Sequence, residues 1–113
     1  MGAVAIILLL YKFGNLREER LVQKFLDELK TGNFQQAYQT WGPTPGYTYK
    51  DFMADWGGHG YFGKIGTSRI LESKTEGSGV IVMVELSHLK RPIAIWVERR
   101  TRTLAFSPIE TLH

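Results

Sequence analysis

Hydrophobic spacing along this chain changes once, near residue 61, from a repeat of three to four residues to a repeat of two. The residues before that point read as helix and those after it as strand, an order that leaves few folds open. Leu21, Val22, Phe25, Leu26 and Leu29 recur at helical spacing, opposite Arg20, Lys24, Asp27, Glu28 and Lys30. That stripe predicts an amphipathic helix over residues 15–30, with Glu18 and Glu19 at the positive end of its dipole. Thr31-Gly32 supplies the stop. Asn33 with Gln36 three residues on has the pattern of a capping box, opening a second short helix lined by Phe34, Ala37, Tyr38 and Trp41. Gly42-Pro43-Thr44-Pro45-Gly46 is a turn, and Thr48 with Asp51 repeats the capping box before a third helix through Phe52, Met53 and Trp56.

Beyond residue 61 the chain predicts four strands. The first covers residues 61–73 and is followed by a turn at Glu76-Gly77-Ser78-Gly79. The β-branched run at 80–86 is the second, 93–99 the third after Lys90-Arg91-Pro92, and 103–107 the fourth. Short connections between successive strands imply an antiparallel meander. The expected fold is therefore α+β, with N-terminal helices on one face of a curved four-stranded antiparallel sheet. Glu85 interrupts the second strand on the face of Ile81 and Met83, and if that face is buried it needs a cationic partner such as Arg69.

The 113 residues suit one domain, and the absence of cysteine excludes disulfide scaffolds, thiolate metal sites and a cysteine nucleophile. Ahead of the helices, Gly2 to Leu10 carry no polar side chain. Twelve helical residues rise about 18 Å, short of the roughly 30 Å of a bilayer core. No cation precedes the run and no small-residue cleavage site comes after it, unlike a secretory signal. Ile6 to Leu10 would be apolar on every face of a helix, so the run needs lipid, another protein's membrane helices or a core around it. Val4, Ile6, Ile7, Leu8, Leu9, Leu10 and Tyr11 are the expected contacts with membrane or partner, with residues 1–14 as an anchor helix and 15–113 as the folded domain. Lys12, Arg17, Arg20 and Lys24 come after the run, which places the domain on the cytoplasmic side.

Residues 25–41, FLDELKTGNFQQAYQTW, contain Leu29, Gly32, Asn33, Phe34, Ala37 and Tyr38 in an L-x-x-G-N-F-x-x-A-Y arrangement. The segment resembles the opening of cystatin-like, cone-shaped domains of the nuclear-transport-factor-two-like superfamily. The likeness extends over about residues 16–108. It points to small bacterial members with an N-terminal membrane anchor. It implies the cone fold and little about activity, because that fold hosts isomerases, dehydratases, transport adaptors and assembly modules. In the enzymes of the group an Asp, His or Tyr sits in the open end of the cone. The corresponding candidates here are Asp51, Asp55, His59, Tyr38 and Tyr61, although Asp51 and Asp55 fall on the polar side of the third helix.

Other chemistry is sparsely marked. Gly58-His59-Gly60-Tyr61-Phe62-Gly63 fits G-x-G-x-x-G, but it comes after a helix where the dinucleotide fingerprint must come after a strand. His59, His88 and His113 have no ligand partners at metal spacing, and neither a cofactor nor a metal is expected. Tyr38, Trp41, Phe52, Trp56, Tyr61 and Trp96 either line a ligand pocket or close a small core. The net charge of +3 is concentrated late, in Lys90, Arg91, Arg99, Arg100 and Arg102. Arg99, Arg100 and Arg102 form a candidate patch for an anionic surface, or simply solvate a strand end. Nucleic acid is disfavoured, since Trp96 is the lone ring between Lys90 and Arg102. The expected function is a non-catalytic accessory or assembly subunit of a membrane protein complex, respiratory or photosynthetic. Its partners would be integral membrane proteins and lipid. The alternative is a small-ligand-binding or isomerase-like domain that uses the aromatic cone.

Overall fold

Three helices come first, then four strands. They are α1 (Leu16–Lys30), α2 (Phe34–Trp41), α3 (Tyr49–Trp56), β1 (Ser68–Glu76), β2 (Gly79–Leu86), β3 (Ile93–Glu98) and β4 (Thr103–Phe106). The strands are antiparallel and lie in the order β1-β2-β3-β4. This computed structural model describes residues 14–109 and residue 112. The expected anchor helix, residues 1–14, lies outside them except for Gly14, and among the described residues no helix is long and apolar enough to cross a membrane.

The apolar stripe of α1 behaves as its spacing requires: Val22, Phe25, Leu26 and Leu29 are buried against the sheet and the other helices. The helix ends where Thr31 turns its hydroxyl back to the Asp27 and Glu28 carbonyls, at 3.1 and 3.2 Å. Of the two capping boxes, the second forms. Thr48 is extended, its Oγ1 accepts from the Asp51 amide at 3.2 Å, and its own amide donates to Asp51 Oδ2 at 3.1 Å. The first does not form. Asn33 has φ −83° and ψ 62°, outside the extended range that aims a cap side chain at the helix, and its Nδ2 donates to Thr31 Oγ1 instead.

β2 is one of the two inner strands and is buried on both faces along most of its length. Val80, Val82, Val84 and Leu86 face the helices together with Ile95, Val97 and Leu104. Ile81 and Met83 face the other way, where Ala94, Trp96 and Leu112 pack against them. Trp96 lies across Gly79, and a β-carbon there would overlap both its indole and the Val97 carbonyl. Arg69 and Glu85 are register partners joined at 3.2 Å, but both are well exposed, so the pair forms without the burial that would have required it. A bulge between Ile70 and Glu72 shifts the register of β1, the feature that bends an edge strand.

The first strand starts at Ser68 and not at residue 61. The amides of Tyr61 and Phe62 are committed elsewhere, donating at 2.8 Å to the Ala54 and Asp55 carbonyls at the end of α3. With those two N–H groups terminating a helix, the segment cannot begin a ladder. The glycines of the G-x-G-x-x-G stretch therefore belong to the close of α3.

Candidate functional site

A groove of about 800 Å³ runs between the first half of α1 and the β3–β4 turn. Its lining includes Gly14, Leu21, Val97 and the cations Arg17, Arg20, Lys24, Arg99, Arg100 and Arg102. Two carboxylates, Glu18 and Glu98, stand among these six cations. The two walls come from segments some eighty residues apart, joined because the start of α1 crosses the end of the sheet where β1 hands over to β2 and β3 to β4.

Arg99 makes that junction. One guanidinium nitrogen, Nη2, donates to Asn15 Oδ1 at 2.8 Å, Glu18 Oε1 at 3.2 Å and Thr75 Oγ1 at 3.3 Å. Thr75 in turn donates to Asn15 Oδ1 at 3.0 Å, and Ser73 Oγ donates to Glu19 beside it. Glu18 lies in the buried stripe of α1, with its side chain 9% exposed, and would be an uncompensated charge without this partner. Arg99 is thus a structural clamp and not a free cation of the expected patch.

Arg17, Arg20, Arg100 and Arg102 are exposed and have no ion-pair partner among the described residues. Lys24 is shared, donating to Glu28 Oε2 at 3.2 Å and Thr40 Oγ1 at 3.1 Å. Arg102 has φ 55°, the left-handed conformation that ordinarily falls to glycine or asparagine, and its amide closes the turn on the Glu98 carbonyl at 2.8 Å. Sequence alone supplied Arg99, Arg100 and Arg102 but not their neighbours across the groove. The clue lay in Glu18, an acid inside an apolar stripe that has to meet a cation.

The six aromatics offered as a pocket do not converge. Trp41, Phe52 and Trp56 are buried around Phe25, whose ring centroid lies 5.1, 6.0 and 5.0 Å from theirs. Tyr38 is half-buried and donates its hydroxyl to the Tyr47 carbonyl at 2.8 Å. Tyr61 is 78% exposed. Trp96 sits on the opposite face of the sheet from the helices. Strand alternation accounts for this, since Ile95 and Val97 point inward and the residue between them must point outward. Trp56 also lines a depression of about 390 Å³ with Leu29, Phe34, His59 and Ile65.

The proton-transfer candidates are likewise dispersed. Asp51 caps α3, His59 is exposed, and Asp55 Oδ2 accepts the Tyr47 hydroxyl at 2.6 Å. Burial, then the hydrogen bond and charge of Asp55 and the charge of Asp51, pushes the Tyr47 hydroxyl far above the ordinary tyrosine range. Tyr47 therefore stays protonated and braces the loop before α3. At the same end of the sheet as Tyr61, His88 Nε2 donates to the Phe62 carbonyl. Among the described residues no group of three or more His, Cys, Asp or Glu is placed to hold a metal ion.

No family model, curated protein or solved structure matches the chain.

Proposed function

We propose that this chain is a non-catalytic accessory or assembly subunit of a membrane protein complex, held at the membrane by its apolar N-terminal run. The observation that carries this reading is the filling of the space between helices and sheet. Phe25, Trp41, Phe52 and Trp56 pack ring against ring there, filling the space that the alternative, aromatic-lined pocket would need. Further support comes from the run itself, nine residues without a polar side chain joined directly to a folded domain. The cations just after it favour a cytoplasmic position for that domain. The order of elements and the Leu29-to-Tyr38 pattern support a place among bacterial cystatin-like domains of the nuclear-transport-factor-two-like group.

The test is affinity capture of the full chain from native membranes in a gentle detergent, with mass spectrometry of the eluate. A stoichiometric set of integral membrane proteins is expected, and it should vanish when Ile6, Ile7, Leu8 and Leu9 are replaced by serine. Recovery of the chain alone overturns the proposal.

A further inference from the structure

We infer that the groove between α1 and the β3–β4 turn seats the phosphate of anionic lipid headgroups, an inference that rests on the membrane reading above. The groove offers four exposed guanidinium groups, Arg17, Arg20, Arg100 and Arg102, none within ion-pair distance of a carboxylate among the described residues. Against them stand Glu18, which Arg99 pairs, and Glu98, which accepts from Ser78 and Trp96. Guanidinium forks match phosphate oxygens two at a time, and here they line opposite walls of one depression. The walls are fixed before any ligand arrives, because Arg99 ties the turn to Asn15, Glu18 and Thr75. The turn also accepts an arginine in the left-handed conformation at residue 102, at a strain that glycine would avoid.

What selects a lipid surface is the place of the groove in the chain. Gly14 lies on its rim, and Leu10, the end of the apolar run, precedes Gly14 by four residues. Four residues of chain reach about 14 Å at most. A headgroup in the groove and an acyl region for the run are therefore within reach of one another. One short apolar anchor gives marginal attachment, and a polybasic surface beside it supplies the second contact. Nucleic acid is the poorer occupant, because no aromatic ring is among the residues lining the groove, and bases would have nothing to stack on.

Vesicle co-sedimentation of the full chain separates the two contacts. Phosphatidylcholine vesicles report the apolar run alone, and phosphatidylcholine–phosphatidylglycerol vesicles add the headgroup charge. The wild type should bind both, the anionic vesicles more tightly, with the difference shrinking as salt rises. In a variant carrying Arg17→Gln, Arg20→Gln, Arg100→Gln and Arg102→Asn, binding to neutral vesicles should be unchanged. Its binding to anionic vesicles should fall by about fivefold for each cation removed. Lys90→Gln with Arg91→Gln, at the opposite end of the sheet, should cost much less per charge.

Equal wild-type binding to the two kinds of vesicle overturns the groove as a headgroup seat and leaves the apolar anchor standing. Binding to anionic vesicles alone supports the groove and overturns the anchor. An equal loss per charge in the Lys90/Arg91 variant overturns the inference in favour of diffuse charge. Displacement from anionic vesicles by a single-stranded oligonucleotide, absent in the four-residue variant, overturns it in favour of nucleic acid.

Discussion

The two ends of the sheet are built from different chemistry. At the end holding the β1–β2 and β3–β4 turns, α1 is fastened by side-chain hydrogen bonds and one partly buried ion pair, all converging on Arg99 and Asn15. At the other end the fastening is aromatic. Phe106 at the close of β4 meets Trp41 at 4.9 Å and stacks on Trp56 at 5.8 Å, and Phe62 stacks on Trp56 at 4.6 Å. Area removed from water drives the second arrangement, whereas the first nearly exchanges water contacts for protein contacts. Stability should therefore be concentrated at the aromatic end. The charged end should be the first to open in hydrogen exchange, its groove held in shape by Arg99 until it does.

Trp56→Ala strikes the aromatic end at its centre, where the residue is 1% exposed and touches Phe25, Trp41, Phe62 and Phe106. The loss should be about 3–5 kcal/mol, a large share of what a domain of this size commonly has. Urea denaturation should show the midpoint falling with the whole domain and a single transition retained. A loss no larger than the roughly 2 kcal/mol expected for Arg99→Ala at the charged end would remove the contrast between the two ends.

The two ends were unequally legible from sequence. β2 was plain in its unbroken β-branched run, the cap at Thr48 and Asp51 in its spacing, and the Arg69–Glu85 pair in the position of one acid on an apolar strand. Asn33 misled because the residue type of a cap does not fix its φ and ψ, and here the turn after Gly32 sets them. The start of β1 was hidden because nothing in Tyr61 or Phe62 announces that their amides fold back onto α3. The place of Trp96 was within reach, since strand parity with Ile95 and Val97 already excluded it from the helical side. The groove was not within reach by local pattern, because Arg17 and Arg102 become neighbours only through the meander that brings the last turn beside the first helix.

Arg99→Ala strikes the charged end and should cost about 2 kcal/mol, because Glu18, Asn15 and Thr75 lose a shared donor and Glu18 stays largely covered. Hydrogen exchange should speed up first in the β3–β4 turn and the first turn of α1, with the aromatic end still protected. Arg99→Lys keeps the charge opposite Glu18 on a shorter side chain with a more strongly hydrated head, and should recover only part of the loss. Uniform acceleration across the domain would show that the two ends open together.

Tyr47→Phe tests the loop that braces the helices beside the aromatic cluster. Losing the bond to Asp55 should cost about 1 kcal/mol near neutral pH. The wild-type hydroxyl is raised in the folded state, first by burial, so above its ordinary value of 10.0 the unfolded chain gives up that proton first. The folded chain then holds the greater number of protons, and stability falls as pH rises. The contribution is complete below about pH 10 and fades above it. Denaturation across this range should show a steeper decline in the wild type than in Tyr47→Phe. Parallel curves would refute the assignment.

Arg102→Gly carries the smallest effect on stability and the clearest sign. Residue 102 holds a left-handed backbone at φ 55°, and glycine meets that demand without a β-carbon. The substitution should stabilise the domain by about 0.5–1 kcal/mol, the relief of strain being partly offset by the entropy of a freer unfolded chain. The same change removes one of the four unpaired guanidinium groups of the groove, so attachment to anionic vesicles should weaken by about fivefold. A gain in thermal stability coupled to a loss of lipid affinity is the pattern of a charged end that accepts strain in order to present a cation. If glycine stabilises the fold and leaves vesicle binding untouched, Arg102 is merely an awkward turn residue, and the division of labour between the two ends loses its functional half.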